Sequence, residues 1–319
     1  MVARLIGKLH GTRAAIRKGP MPTVPQTLKG PLLMLLSAVL FTGMNLLLKQ
    51  SMADFRVWDI GFYRFFGGML LLVALFGRRH NPFRSADTRL LIIRGCTGSI
   101  AFMGFILSVR LLPVSTALML LYSFPAFAAV SSAWLFGEKI SAAGWLCLAG
   151  VVAGVAILVD PAGGGSLAGY AAGILSAVFA GVTMAIIRQL KQTNGAVVIY
   201  LYFCAVGSAV TAPFFLAGPV LPQTAGQLLV CGGIVVTSIL GQLLMNQGFG
   251  HCRSWEGGLY MTSEVGLTAL AGVWVFGDPL GWRFGVGGAL IIAGAVAVQV
   301  ERALHPPPAE ERFPAVHRG

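Results

Sequence analysis

The chain has 319 residues, of which 56% are hydrophobic and only 11% charged, with a formal net charge of +12. A water-facing domain carries about 25% charged residues, so this composition excludes a soluble protein: the surface meets lipid. The basic excess lies in tails and short loops rather than in a stripe on one folded face, which argues against a nucleic-acid partner.

Residues 1–29 form a basic tail with no acidic side chain. It lacks the apolar core of about 7–15 residues that a secretory signal needs, and it reads as a cytoplasmic tail that touches anionic lipid. A helix needs about 20 mostly apolar residues to cross the hydrocarbon core. Ten segments qualify: 30–48, 57–76, 90–109, 114–136 and 140–159, then 169–187, 197–216, 228–245, 255–276 and 282–300. The breaks carry punctuation such as Asn81-Pro82, Asp160-Pro161, Gly218-Pro219 and Asp278-Pro279. The alternating stretches of about ten residues that a membrane β-barrel would need are not seen. Residues 301–319, with Pro306-Pro307-Pro308, read as a disordered tail.

With the N-terminus inside, seventeen Lys and Arg fall on inner segments and four on outer ones (Lys49, Arg56, Arg110 and Arg283), while Arg64 and Arg94 lie within spans. The positive-inside rule then puts both termini in the cytoplasm. The five Cys lie singly, without metal-ligand or disulfide spacing. They read as small packing residues, and neither cofactor nor metal is expected.

The chain repeats itself. Trp134-Leu135-Phe136-Gly137-Glu138 closes the fourth span and Trp274-Val275-Phe276-Gly277-Asp278 closes the ninth, 140 residues later. Ala153-Gly154 and Ala293-Gly294 keep that offset. Leu36-Ser37-Ala38-Val39 matches Leu175-Ser176-Ala177-Val178 at 139, as do Gly30 with Gly169 and Lys49-Gln50 with Arg188-Gln189. The units are 30–159 and 169–300. Five spans per unit is an odd number, so the second unit must run inverted, the usual symmetry of secondary transporters. The expected fold is thus all-α integral membrane, with ten transmembrane helices as two inverted five-helix repeats.

Five plus five spans, an aromatic-Gly-acidic turn after the fourth span of each half, and Arg64 in span two resemble the EamA-type members of the drug/metabolite transporter superfamily. The resemblance covers about residues 30–300. It implies a bacterial inner-membrane transporter with a central cavity and does not identify a substrate, because related members carry many kinds of small molecule. The second half departs from the first in having Asp278-Pro279 where the first has Glu138-Lys139.

An ionisable group at mid-membrane is costly and marks a candidate site. Glu264 lies near the centre of 255–276, where Glu256, Tyr260, Ser263, Glu264 and Thr268 recur at three- and four-residue steps and project to one face. Such a carboxylate is suited to bind and release a proton as a cavity alternates between faces. The plainer reading, for Ser263 and Thr268 especially, is a polar helix–helix contact. Arg64 is the second candidate, for substrate binding or for a structural pair with Asp59 nearby. Arg94 and Lys49 lie nearer span ends and are expected to snorkel. On the fourth span Ser115, Met119, Tyr122 and Ser123 share a face ahead of Pro125, which should kink the helix. Ser123 and Ser263 are repeat mates. Thr42 and Asn45 on the first span would complete a wall, with Met119 and Phe124 its apolar part. Gly150 with Gly154 and Gly281 with Gly285 are expected at close helix crossings.

The leading functional expectation is a secondary transporter of a small metabolite or drug-like compound, coupled to protons or working by exchange. No G-x-x-x-x-G-K-[ST] run is present for ATP binding. A membrane enzyme would need clustered His or Asp, and the five His fall in tails or loops. A channel is the third class, separated from a transporter by its faster, unsaturable flux.

Overall fold

A computed structural model describes residues 26–77, 87–136, 142–159, 166–190, 193–248 and 260–304. Among these residues the chain is entirely helical. The helices are α1 (Gln26–Ser51), α2 (Val57–Phe76), α3 (Thr88–Leu111), α4 (Val114–Leu121), α5 (Phe124–Phe136), α6 (Ala142–Leu158), α7 (Leu167–Leu190), α8 (Ala196–Leu216), α9 (Ala225–Gly248), α10 (Ser263–Phe276) and α11 (Trp282–Leu304). Seven spans are long and apolar enough to cross a membrane, α4 and part of α5 counting as one, and three shorter apolar helices (within α6, α10 and α11) complete the ten. Their outer faces carry bare apolar side chains. Trp134 and its repeat mate Trp274 are 84% and 94% exposed, as suits rings that sit where membrane meets water.

The duplication governs how the helices pair. α1 packs on α9 while α7, the repeat mate of α1, packs on α3, the mate of α9. α2 packs on its own mate α8, and α6 on its own mate α11. Exchanging the halves therefore returns the same set of neighbours. Hydrogen bonds obey the same exchange. The Ser37 hydroxyl donates to the Gly241 carbonyl (2.8 Å), and the Ser176 hydroxyl donates to the Ala101 carbonyl (2.6 Å). All four positions are related by the offsets of 139 and 140 seen in the sequence. Both serines are fully buried, where a hydroxyl left without a partner would be costly.

The fourth span is interrupted at Tyr122-Ser123. Pro125 has no N–H, and its ring crowds the preceding turn. The Ser123 hydroxyl bonds the Leu120 carbonyl (2.7 Å) at the break. A matching break lies at Thr262, where the Ser263 hydroxyl bonds the Tyr260 carbonyl (2.6 Å). No proline is near it, so the serine is the feature common to both interruptions.

The aromatic-Gly-acidic turn of the second half has a clear structural role. α10 ends at Gly277, which has φ 68° and ψ 29°, a left-handed conformation that costs little only for glycine. The reversal turns the Asp278 carboxylate onto the start of α4, where Oδ2 accepts from the Ser115 N–H (3.2 Å) and hydroxyl (3.0 Å). One repeat thus caps the broken helix of the other, a carboxylate at a helix N-terminus being favourable. The corresponding turn of the first half, Gly137-Glu138, lies outside the described residues.

Two sequence expectations about packing need correction. A Cβ built at Gly150, Gly281 or Gly285 would meet nothing within 4 Å, so these three mark no crossing. The close approach of α6 and α11 is made by Gly154 and Gly287, where an added Cβ would come within 2.7–2.8 Å of the opposite carbonyl oxygen, and by Gly294. Nor does Lys49 snorkel: its Nζ turns inward and donates to the Val109 and Leu112 carbonyls (2.8 and 2.7 Å), satisfying the C-terminus of α3.

Candidate functional site

The break in each repeat brings polar side chains together at one place in the interior. Glu264 sits just after the Thr262 break, in the first turn of α10, and is 6% exposed. Its Oε1 accepts from Asn45 Nδ2 on α1 (3.0 Å), and its Oε2 lies 2.9 Å from the hydroxyl of Tyr122 at the other break. The same hydroxyl lies 2.7 Å from the Met261 carbonyl. One turn further along α10, the Thr268 hydroxyl meets that of Thr42 on α1 (3.2 Å). Glu264, Tyr122, Asn45, Thr42 and Thr268, anticipated on three separate spans, thus form one buried polar seam between α1, α10 and the α4–α5 break.

The seam holds one hydrogen too few when its carboxylate is ionised. Tyr122 has a single hydroxyl hydrogen, and two acceptors compete for it. If Glu264 is charged and takes that hydrogen, the Met261 carbonyl goes without. If Glu264 carries a proton on Oε2, it donates to the Tyr122 oxygen and Tyr122 donates to Met261, so these three groups are matched, while Asn45 Oδ1 has no partner. A buried acceptor left unmatched costs about 1–3 kcal/mol. The two protonation states of Glu264 thus differ in whether the Met261 carbonyl, at the break, receives the Tyr122 hydrogen.

The other anticipated residues have different places. Ser123 and Ser263 spend their hydroxyls on their own helices, as described above, and do not face Glu264. Tyr260 is half-buried and packs against the main apolar core. Met119 is buried and fits against Gly288, while Phe124 meets Tyr122 edge-on with ring centres 6.1 Å apart. Glu256 lies outside the described residues.

Arg64 does not join this seam. It lies between α2, α3 and α8, with its guanidinium carbon 3.7 Å from the centre of the Phe102 ring and 5.5 Å from those of Phe65 and Phe203. Nor does it pair with Asp59. That carboxylate is taken by Arg56, which makes a two-pronged contact with it (Nε to Oδ2 2.9 Å, Nη2 to Oδ1 2.7 Å) at the start of α2. The bond to Asp59 raises the Arg56 pKa above its ordinary value, so this exposed loop cation stays charged. Arg94 was expected to snorkel and instead is 5% exposed, with its guanidinium 4.2 Å from the Phe203 ring centre. Hydropathy could not reveal this, because it places Arg94 near a span end and says nothing about the α8 aromatic that lies over it.

Among the described residues, no group of three or more His, Cys, Asp or Glu could hold a metal ion.

The model of the EamA-like transporter family matches this chain twice, over residues 28–160 and 167–299. The pseudopaline exporter CntI from each of two strains of Pseudomonas aeruginosa is 31% identical over 274 residues, covering 85% of this chain and 93% of the exporter. An uncharacterized transporter of Archaeoglobus fulgidus is 23% identical over 275 residues, covering 84% of this chain and 95% of that protein. A crystal structure shares the fold with a TM-score of 0.60 at 21% identity, covering 86% of this chain and 98% of that one.

Proposed function

The chain belongs to the EamA-like transporter family, and from that premise we propose that it is a secondary active exporter of a small metabolite, driven by protons through Glu264. It is a multi-pass membrane protein and a transporter rather than an enzyme. Its setting in this reading is the inner membrane of a bacterium, with both termini in the cytoplasm. The exporter relatives in Pseudomonas aeruginosa support outward movement of a metabolite.

The observation that carries the reading is the Glu264 seam. A carboxylate buried between the two halves, bonded from α1 by Asn45 and from the α4–α5 break by Tyr122, touches parts of both repeats at once. Alternating access exchanges the arrangements of two equivalent halves. A group whose hydrogen bonds join them is placed so that gain or loss of a proton favours one arrangement. Protonation matches Glu264, Tyr122 and the Met261 carbonyl with one another and holds the halves closed over them. Ionisation leaves an acceptor unmatched and favours an arrangement in which water reaches the carboxylate.

Glu264→Gln tests this. The amide donates to Tyr122 as the protonated acid does, yet it cannot release a hydrogen. In liposomes the variant should fold and still exchange labelled substrate for unlabelled substrate, but lose accumulation driven by a pH gradient, together with the pH dependence of the rate. Normal concentrative transport with the normal pH profile would reduce Glu264 to a structural contact.

A further inference from the structure

We propose that Arg64 and Arg94 form a buried receptor for a carboxylate, so that the cargo of this transporter is a small organic anion. The inference rests on the transport reading for the word cargo and on geometry for the receptor. The two arginines come from neighbouring helices, α2 and α3, and share one aromatic ring, Phe203 of α8. They are 6% and 5% exposed, and Nε and Nη1 of each have no hydrogen-bond partner. Aromatic rings cover guanidinium faces and leave the in-plane N–H donors at the edge free. The pair therefore presents unmatched donors and two like charges inside the protein.

Among the described residues no carboxylate pairs with them. The buried carboxylates among the described residues are Asp59, Glu264 and Asp278. Each is committed elsewhere: Asp59 to Arg56, Glu264 to Asn45 and Tyr122, and Asp278 to Ser115. The polar side chains of α8 beside the pair, Tyr200 and Cys204, carry no carboxylate. A Cβ at Gly98 would come 3.0 Å from Phe203 and 3.4 Å from Arg94 Nη1, so the missing side chain lets the ring and the guanidinium pack close to α3. Two buried cations beside one another are costly unless an anion joins them, and an arginine fork matches a planar carboxylate in shape as well as charge. The cluster shares no contact residue with Glu264, so cargo and proton would use different groups.

The test is calorimetric titration of the purified full chain in detergent with sodium succinate and sodium citrate, against sodium phosphate and sodium chloride at matched ionic strength. Succinate or citrate should bind saturably at one site per chain. Arg64→Gln and Arg94→Gln should each weaken binding at least tenfold. Arg64→Lys and Arg94→Lys keep the charge and approximate length should the glutamines misfold, and they should weaken binding by less than the glutamines while preserving the helical circular dichroism. Absence of saturable binding to the wild-type chain overturns the proposal, as does equal binding by folded glutamine variants. Tighter binding of phosphate than of either carboxylate overturns the assignment to carboxylate. The transport reading is judged separately, by movement of labelled compounds in liposomes. If a neutral or cationic compound is pumped while no carboxylate binds, the exporter stands and the anion receptor falls. If carboxylates bind at the arginines and nothing is moved, the reverse holds.

Discussion

A single phenolic hydrogen at Tyr122 serves two acceptors, the Met261 carbonyl and Glu264 Oε2. Tyr122→Phe removes it while keeping the ring and its edge contact with Phe124. At least one acceptor is then left unmatched in the interior, so the variant should lose about 1–3 kcal/mol of stability, read as a lower unfolding midpoint in detergent. Unchanged stability would mean that neither bond is formed in solution. The sequence marks Glu264 because an acid in the middle of an apolar run is conspicuous. It does not mark the partners as partners: Asn45 and Tyr122 are 219 and 142 residues away, and either would read as an ordinary polar contact on its own helix. Arg94 is the opposite case, where position in the run suggested a harmless snorkelling side chain and only tertiary contact shows that it is sealed inside.

At the scale of helices, the repeat offers a matched pair of measurements. The Ser37–Gly241 bond joins α1 to α9, and the Ser176–Ala101 bond joins α7 to α3. Both are buried, of nearly equal length, and related by the internal symmetry. Side-chain hydrogen bonds between membrane helices are worth about 0.6 kcal/mol on average. Ser37→Ala and Ser176→Ala should therefore cost similar amounts of that order, and the double variant should cost their sum, since they share no partner. Unfolding the three variants in detergent checks this; a large effect from one serine and none from the other would show that the halves are not energetically equivalent. The sequence revealed these serines through the repeated Leu-Ser-Ala-Val run. It was less informative about glycine, because small residues at four-residue spacing occur on both faces of so apolar a helix. Which face meets another backbone depends on the partner, so Gly154 was identified and Gly287 was not.

For the molecule as a whole, ten spans and the seventeen-to-four charge bias lead us to propose that both termini lie on the cytoplasmic side. Reporter fusions at Pro161 and Gly218 should be active outside, and fusions at His80 or after Val300 inside; the reverse pattern would overturn this orientation. Composition and repeat alone foretold the all-helical fold, because lipid leaves a spanning chain few alternatives. They could not foretell how the two halves meet. Most extensive pairings run between repeats: α1 with α9, α2 with α8, α3 with α7, and α6 with α11. This has a consequence for biogenesis. Gly154 on α6 fits against Gly287 on α11, 133 residues later in the chain, so a nascent chain reaches the bilayer with the α6 face bare. At about 5–20 residues per second, the ribosome needs on the order of ten seconds to deliver its partner. Throughout that interval α6 waits for its partner, while α7, α8 and α9 arrive in turn to pair with α3, α2 and α1. The α6 face is therefore covered only once α11 has been made and has docked.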